Sequence, residues 1–171
     1  MTRQECYPTL EKMGAALVEL MRDLPFDKIT VDQITKKAGT GRVTYFRNFS
    51  SKSDLLSYYL LCLYKHYYAE HGHGEGIHEK SRDNLLCLFQ FSESIRDLHI
   101  RITDSGQEAA IFMAYKYSFL EEMSGNSEDV IRNALLDYGL FGVIHEWIRM
   151  GCDPPAAEMV DRVLSLINLR R

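Results

Sequence analysis

Five residues within one stretch of seven, Arg42, Val43, Thr44, Arg47 and Asn48, carry the chemistry needed to read the edge of a base pair. A guanidinium donates two parallel hydrogen bonds to guanine O6 and N7, threonine or valine touches the thymine methyl, and an asparagine amide can donate. On a helix, Tyr45 and Phe49 lie four apart and face inward. That leaves Arg42, Val43, Thr44, Arg47 and Asn48 outward, and a merely solvated helix has no use for an exposed valine. Lys28, Lys36, Lys37 and Lys52 flank this stretch and could neutralise phosphates; the bland alternative is a solvated lysine face.

Other reactive groups are present without a pattern. His66, His99, His145 beside Glu146, and Cys152 could act in catalysis, but no nucleophile elbow, phosphate loop or HExxH spacing occurs. No enzyme activity, catalytic residue or cofactor is expected. His145 falls in an apolar helical run, where a hydrogen-bonded structural histidine or an effector contact both fit. The run HGHGEGIH from His71 to His78, with Glu79 after it, offers metal-ligand types, but nothing orients them. It reads as a solvated loop, so no metal is expected. The four cysteines, Cys6, Cys62, Cys87 and Cys152, lie far apart with no CxxC spacing. A disulfide framework is not expected, a reducing cytosol fits, and Cys62 and Cys87 read as small core residues.

The elements that must position the base-reading stretch are helices. Leu10, Met13, Leu17, Leu20, Met21 and Leu24 form one stripe, which predicts a first helix over Thr9–Leu24. Val31, Ile34 and Ala38 share the face of a second helix capped by Thr30, and Gly39 supplies a left-handed turn. A third helix then starts at Gly41 or Arg42 and runs through Asn48, making a helix-turn-helix. Lys52 to Glu70, capped by Ser50 or Ser51, predicts a longer helix with unusually dense tyrosines. Beyond Glu79 the chain reads as all helix. A long helix opens at Asn126 or Ser127 and is apolar on most sides through Ile148. Gly151 ends it, and Pro154 and Pro155 open the last helix.

The segment FDKITVDQITKKAGTGRVTYFRNFSSKSDLL, from Phe26 to Leu56, resembles the DNA-binding signature of the tetracycline-repressor (TetR/AcrR-like) family. That resemblance implies an all-α protein: a three-helix DNA-binding domain over residues 1–51 and a helical regulatory and dimerisation body over 52–171. It implies that Arg42, Val43, Thr44 and Arg47 approach bases and that Thr30, Phe46, Asn48 and Lys52 approach the phosphate backbone, with Lys28 and Gly41 in the same surface. Gly41 stands where the family often has a hydroxyl residue, Phe46 replaces the usual Tyr, and Asn48 replaces the usual His. The later stretch GLFGVIHEWIRMGCDPPAAEMVDRV is similar to a subgroup that includes dihydroxyacetone-kinase-operon regulators. This raises a protein partner as the alternative to a small effector.

Composition agrees with that picture. The chain has 171 residues, 46% hydrophobic and 26% charged, ordinary for a globular protein. Its net charge of -4 excludes a generic polyanion binder, but residues 1–55 hold nine Lys/Arg against seven Asp/Glu, a local +2. No apolar run approaches the ~20 residues of a membrane span, and the N-terminus lacks a signal-peptide core, so a cytoplasmic place is expected. The expected partners are a pseudo-palindromic duplex operator, a second copy of the chain through the last two helices, and an effector or protein partner.

Overall fold

The computed structural model describes residues 5–71, 81–119 and 127–168. Among these there is no strand. The helices are α1 (Pro8–Leu20), α2 (Val31–Lys37), α3 (Arg42–Asn48), α4 (Lys52–His71), α5 (Arg82–Ser94), α6 (Arg96–Asp104), α7 (Glu108–Phe119), α8 (Ser127–Arg149) and α9 (Ala156–Asn168). The all-α expectation holds. None of these helices is long and apolar enough to cross a membrane. The histidine- and glycine-rich run expected as a loop lies, after His71, outside the described residues, as does Asn126.

Packing divides the chain into two units, Met1–Leu63 with Arg101–Tyr117 and Tyr64–Ile100 with Ser118–Arg171. In the first, Leu10, Met13, Ala16 and Leu17 of α1 are buried with Ile34 of α2, Tyr45 of α3 and Leu55 and Leu56 of α4. Gly14 matters here because a Cβ at that position would fall 2.6 Å from Tyr59 Cδ2. Glycine therefore lets α1 and α4 touch backbone to ring, which more than offsets its poor helix propensity. α1 stops at Leu20, four residues short of the expected Leu24. Arg22 N and Asp23 N bond the carbonyls of Glu19 and Leu20 three residues back, tightening the chain into a turn ahead of Pro25.

One expectation about cysteine is overturned. Cys6 and Cys62 are joined by a disulfide across 56 residues of sequence, with Cα atoms 5.6 Å apart. The lead-in to α1 lies along α4, where Tyr7 N donates to Tyr58 Oη at 2.7 Å, and this brings the two cysteines together. Spacing along the chain carries no trace of that proximity. Cys87 and Cys152 are free, and Cys87 is buried as expected.

In the second unit α5 packs on α8 and α9. Phe89, Ile144, Trp147, Ile148 and Val160 are fully buried there. Trp147 Nε1 donates to the Pro154 carbonyl at 2.7 Å, and its ring meets Phe89 at 5.2 Å between centroids, so the polar edge of a buried indole is satisfied. Gly151 and Cys152, both at positive φ, close α8 by bonding the carbonyls of Ile148 and Trp147.

The same unit buries His99, only 1% exposed, with Nε2 3.2 Å from His145 Nδ1. Burial first, and His145 second, lower the His99 pKa from 6.5 to about 4. An unfolded chain takes up that proton near 6.5, whereas the folded one resists until about 4. The unfolded state thus binds more protons between those values. The contribution of His99 to stability is complete above about 6.5 and is lost as pH falls toward 4. Urea midpoints measured across this interval should fall more steeply for the wild type than for His99→Leu; parallel pH profiles would contradict the assignment.

Candidate nucleic-acid interface

α2 is set by its first turn. Thr30 Oγ1 accepts from Gln33 N at 3.2 Å while Gln33 Oε1 accepts from Thr30 N at 2.8 Å, a reciprocal capping box. Thr30 is thereby the helix cap that the sequence predicts. At the other end Gly39 takes φ +64, and Thr40 N returns to Thr35 O at 2.9 Å. This left-handed step turns the chain sharply into α3, at a position where a side chain would be strained.

α3 has seven residues and no side-chain cap, because Gly41 at its N-cap carries none. Helices this short are marginal in isolation, so packing must hold it. Tyr45 and Phe49 do so. Their rings sit 5.7 Å apart and Phe49 lies 5.5 Å from Tyr58 of α4, a run of aromatic contacts that pins α3 to the next helix. With Tyr45 and Phe49 inward, the opposite face is open: Val43 is 72% and Phe46 60% exposed, and Arg42 and Arg47 are exposed beside them. Lys28, Lys36 and Gly41 are exposed too, and Lys37 pairs with Glu19 of α1.

Three predicted site residues stand differently from the outward picture. Thr44 and Asn48 are half-buried, and Asn48 Nδ2 donates to the Thr44 carbonyl at 2.7 Å, a back-bond across one turn. Lys52 is turned toward its own chain. Its Nζ donates to the carbonyls of Phe26 and Ile29 at 2.6 and 2.7 Å and sits 4.7 Å from the Phe26 ring centroid. Lys52 thus ties the start of α4 to the short 3-10 turn at Phe26–Lys28, just before the Thr30 cap. The two carbonyls together outcompete water as acceptors for the flexible ammonium, through charge-assisted hydrogen bonds. The start of α4 is capped as expected: Asp54 N donates to Ser51 Oγ at 3.0 Å, and Ser50 N to Asp54 Oδ2 at 2.9 Å.

Sequence reasoning missed Asp32, whose Oδ1 lies 2.9 Å from Arg42 Nη1. The two are ten residues apart on different helices, and no helical spacing links them. The arrangement as a whole is a capped helix, a left-handed turn and a short helix with one aromatic face buried and one cationic, partly apolar face open. Residues 15–59 match the family model described as bacterial regulatory proteins, tetR family. This head is similar to a tetR-type DNA-binding domain. The matched span runs from α1 into α4, includes the whole of α2 and α3, and supports a tetR-type DNA-binding transcription regulator. The match does not reach the C-terminal stretch and gives no support to the expected dihydroxyacetone-kinase-operon subgroup. No curated protein matches the chain.

Proposed function

We propose that the protein is a cytoplasmic transcriptional repressor of the tetR type, acting as a twofold dimer on a pseudo-palindromic operator under control of an effector held in its helical body. The observation that carries this reading is the open face of α3. Arg42 and Arg47 offer guanidinium donors, and Val43, the most exposed large apolar residue among the described residues of the head, offers a contact for a thymine methyl. In this reading Arg42, Val43 and Arg47 approach bases, Thr44 reaches the groove only from its half-buried site, and Thr30, Lys28, Gly41 and Phe46 approach the backbone. Asn48 and Lys52 support the surface from within, through the bonds to Thr44, Phe26 and Ile29.

Pairing of two copies is supported by the last helices. Ile131, Leu135 and Tyr138 lie at i, i+4 and i+7 of α8 and are all more than half exposed, as is Leu166 of α9. A Cβ added at Gly139 or Gly142 meets nothing within 4 Å among the described residues, leaving room for a second backbone. Support for an effector is the buried His99 Nδ1, which has no partner among the described residues and is the kind of atom a polar ligand satisfies. Control by a partner protein is the alternative, and copurification of a protein that changes DNA affinity would favour it.

Selection from a randomised duplex pool tests the reading. A two-part motif should emerge, and its affinity should fall steeply with salt, linearly in log–log form, as phosphate counterions are released. A pool with no enriched sequence, or a salt-independent affinity, would refute it.

A further inference from the structure

Asp32 stands at the second position of α2 and Arg42 at the first of α3. Arg42 Nη1 lies 2.9 Å from Asp32 Oδ1 and 3.2 Å from Oδ2, and the two side chains are 61% and 63% exposed. A pair this exposed adds between nothing and about 1 kcal/mol to stability, so folding does not account for it. Its effect is on direction. A free arginine sweeps through many rotamers, whereas here the carboxylate holds Nη1 and the Phe46 ring, one turn along, lies 5.7 Å from Cζ. The guanidinium is thereby held from two sides on the exposed face of α3. The contact uses Nη1 alone, and the Nη2–Nε edge remains to donate in parallel to guanine O6 and N7.

We propose that Asp32 is the specificity-determining partner of Arg42: it aims the guanidinium at a guanine and keeps it from the phosphates. The proposal rests on the reading that α3 binds duplex DNA. Phosphates are everywhere along the backbone and carry no sequence information, so an arginine released from Asp32 gains contacts on any sequence. The carboxylate itself is repelled by the backbone. Asp32 therefore lowers affinity for random duplex and raises the ratio between the right site and the wrong one.

The test is sequence selection from a randomised pool with wild type, followed by anisotropy titrations of the selected site, its single-base variants and a random duplex. These are repeated with Asp32→Ala, Asp32→Asn, Arg42→Ala and the double variant. Wild type should prefer guanine at one position of each half-site, and Arg42→Ala should lose that preference. Asp32→Ala should weaken it on the order of tenfold while binding random duplex more tightly. Asp32→Asn, which keeps an acceptor without the charge, should fall between. In the Arg42→Ala background, removing Asp32 should change nothing at that position. Retention of full guanine preference by Asp32→Ala would overturn the proposal, and so would an Asp32 effect on base preference at that position that persists without Arg42. Binding of random duplex by Asp32→Ala shows that the variant is folded. Failure of the wild type to select any sequence would instead remove the DNA-reading role of α3, an outcome distinct from a silent Asp32.

Discussion

Tyr45→Ala should abolish sequence-selective DNA binding and destabilise the head by about 3–5 kcal/mol, the range for deleting a buried aromatic ring. Tyr45 is 2% exposed and is the buried residue of α3 itself. Its ring touches Phe46 edge-on at 5.3 Å and Phe49 at 5.7 Å, so its loss opens a cavity and cuts the aromatic contacts leading to α4. A seven-residue helix without a side-chain cap depends on such packing to stay formed. The open face of α3 then has no fixed orientation, although Arg42, Val43 and Arg47 are chemically unchanged. Tyr45→Phe keeps the ring and should bind nearly as wild type. Urea denaturation followed by circular dichroism, paired with anisotropy titrations, measures both effects. A Tyr45→Ala protein with wild-type selectivity would show that α3 is held by something other than this contact.

Trp147→Ala should have a comparable effect on the second unit, again about 3–5 kcal/mol. Trp147 is the only tryptophan of the chain and is fully buried. Its removal forfeits the Phe89 contact and leaves the Pro154 carbonyl without the indole donor that meets it at 2.7 Å. That bond also anchors the chain between α8 and α9, the helices proposed to pair two copies. The variant should therefore dissociate at concentrations where the proposed wild-type dimer persists, as read by sedimentation velocity. Trp147→Phe restores most of the apolar volume without the donor and should recover part of the loss. In the wild type, the fluorescence of this single indole reports unfolding of the unit directly.

Both of these positions were legible in the sequence, for a common reason. Tyr45 and Phe49 share a helical face by their spacing, and Trp147 falls in a run too apolar for solvent. Thr30 and Gly39 were legible too, because a cap and a left-handed turn depend on local backbone geometry and residue type. What escaped was everything that depends on two distant segments meeting. Asp32 reaches Arg42 across the turn, Lys52 reaches back to Phe26 and Ile29, Cys6 meets Cys62, and Gly14 admits the Tyr59 ring. None of these has a periodicity to betray it. The half-burial of Asn48 is different: its bond to the Thr44 carbonyl spans four residues, and the known tendency of asparagine to bond nearby backbone could have suggested it.

The Lys52 contacts also bear on the proposed DNA-binding surface. A lysine whose ammonium is held by two backbone carbonyls contributes first to the placement of the Thr30 cap, and through it to the angle between α2 and α3. In the proposed reading, positive charge for the phosphates then falls more heavily on Lys28 and Lys36, both exposed. The modest local charge of the head fits a domain that gains selectivity from a few base contacts more than affinity from many phosphate ones.

Hydroxyl-radical footprinting of the wild-type protein on its selected duplex tests most directly whether the open face of α3 reads DNA in a twofold pair. Two protected segments related by dyad symmetry are expected, their centres about one helical turn, ~34–36 Å, or a multiple of it apart. A single protected segment without symmetry, or uniform protection along the duplex, would contradict the account.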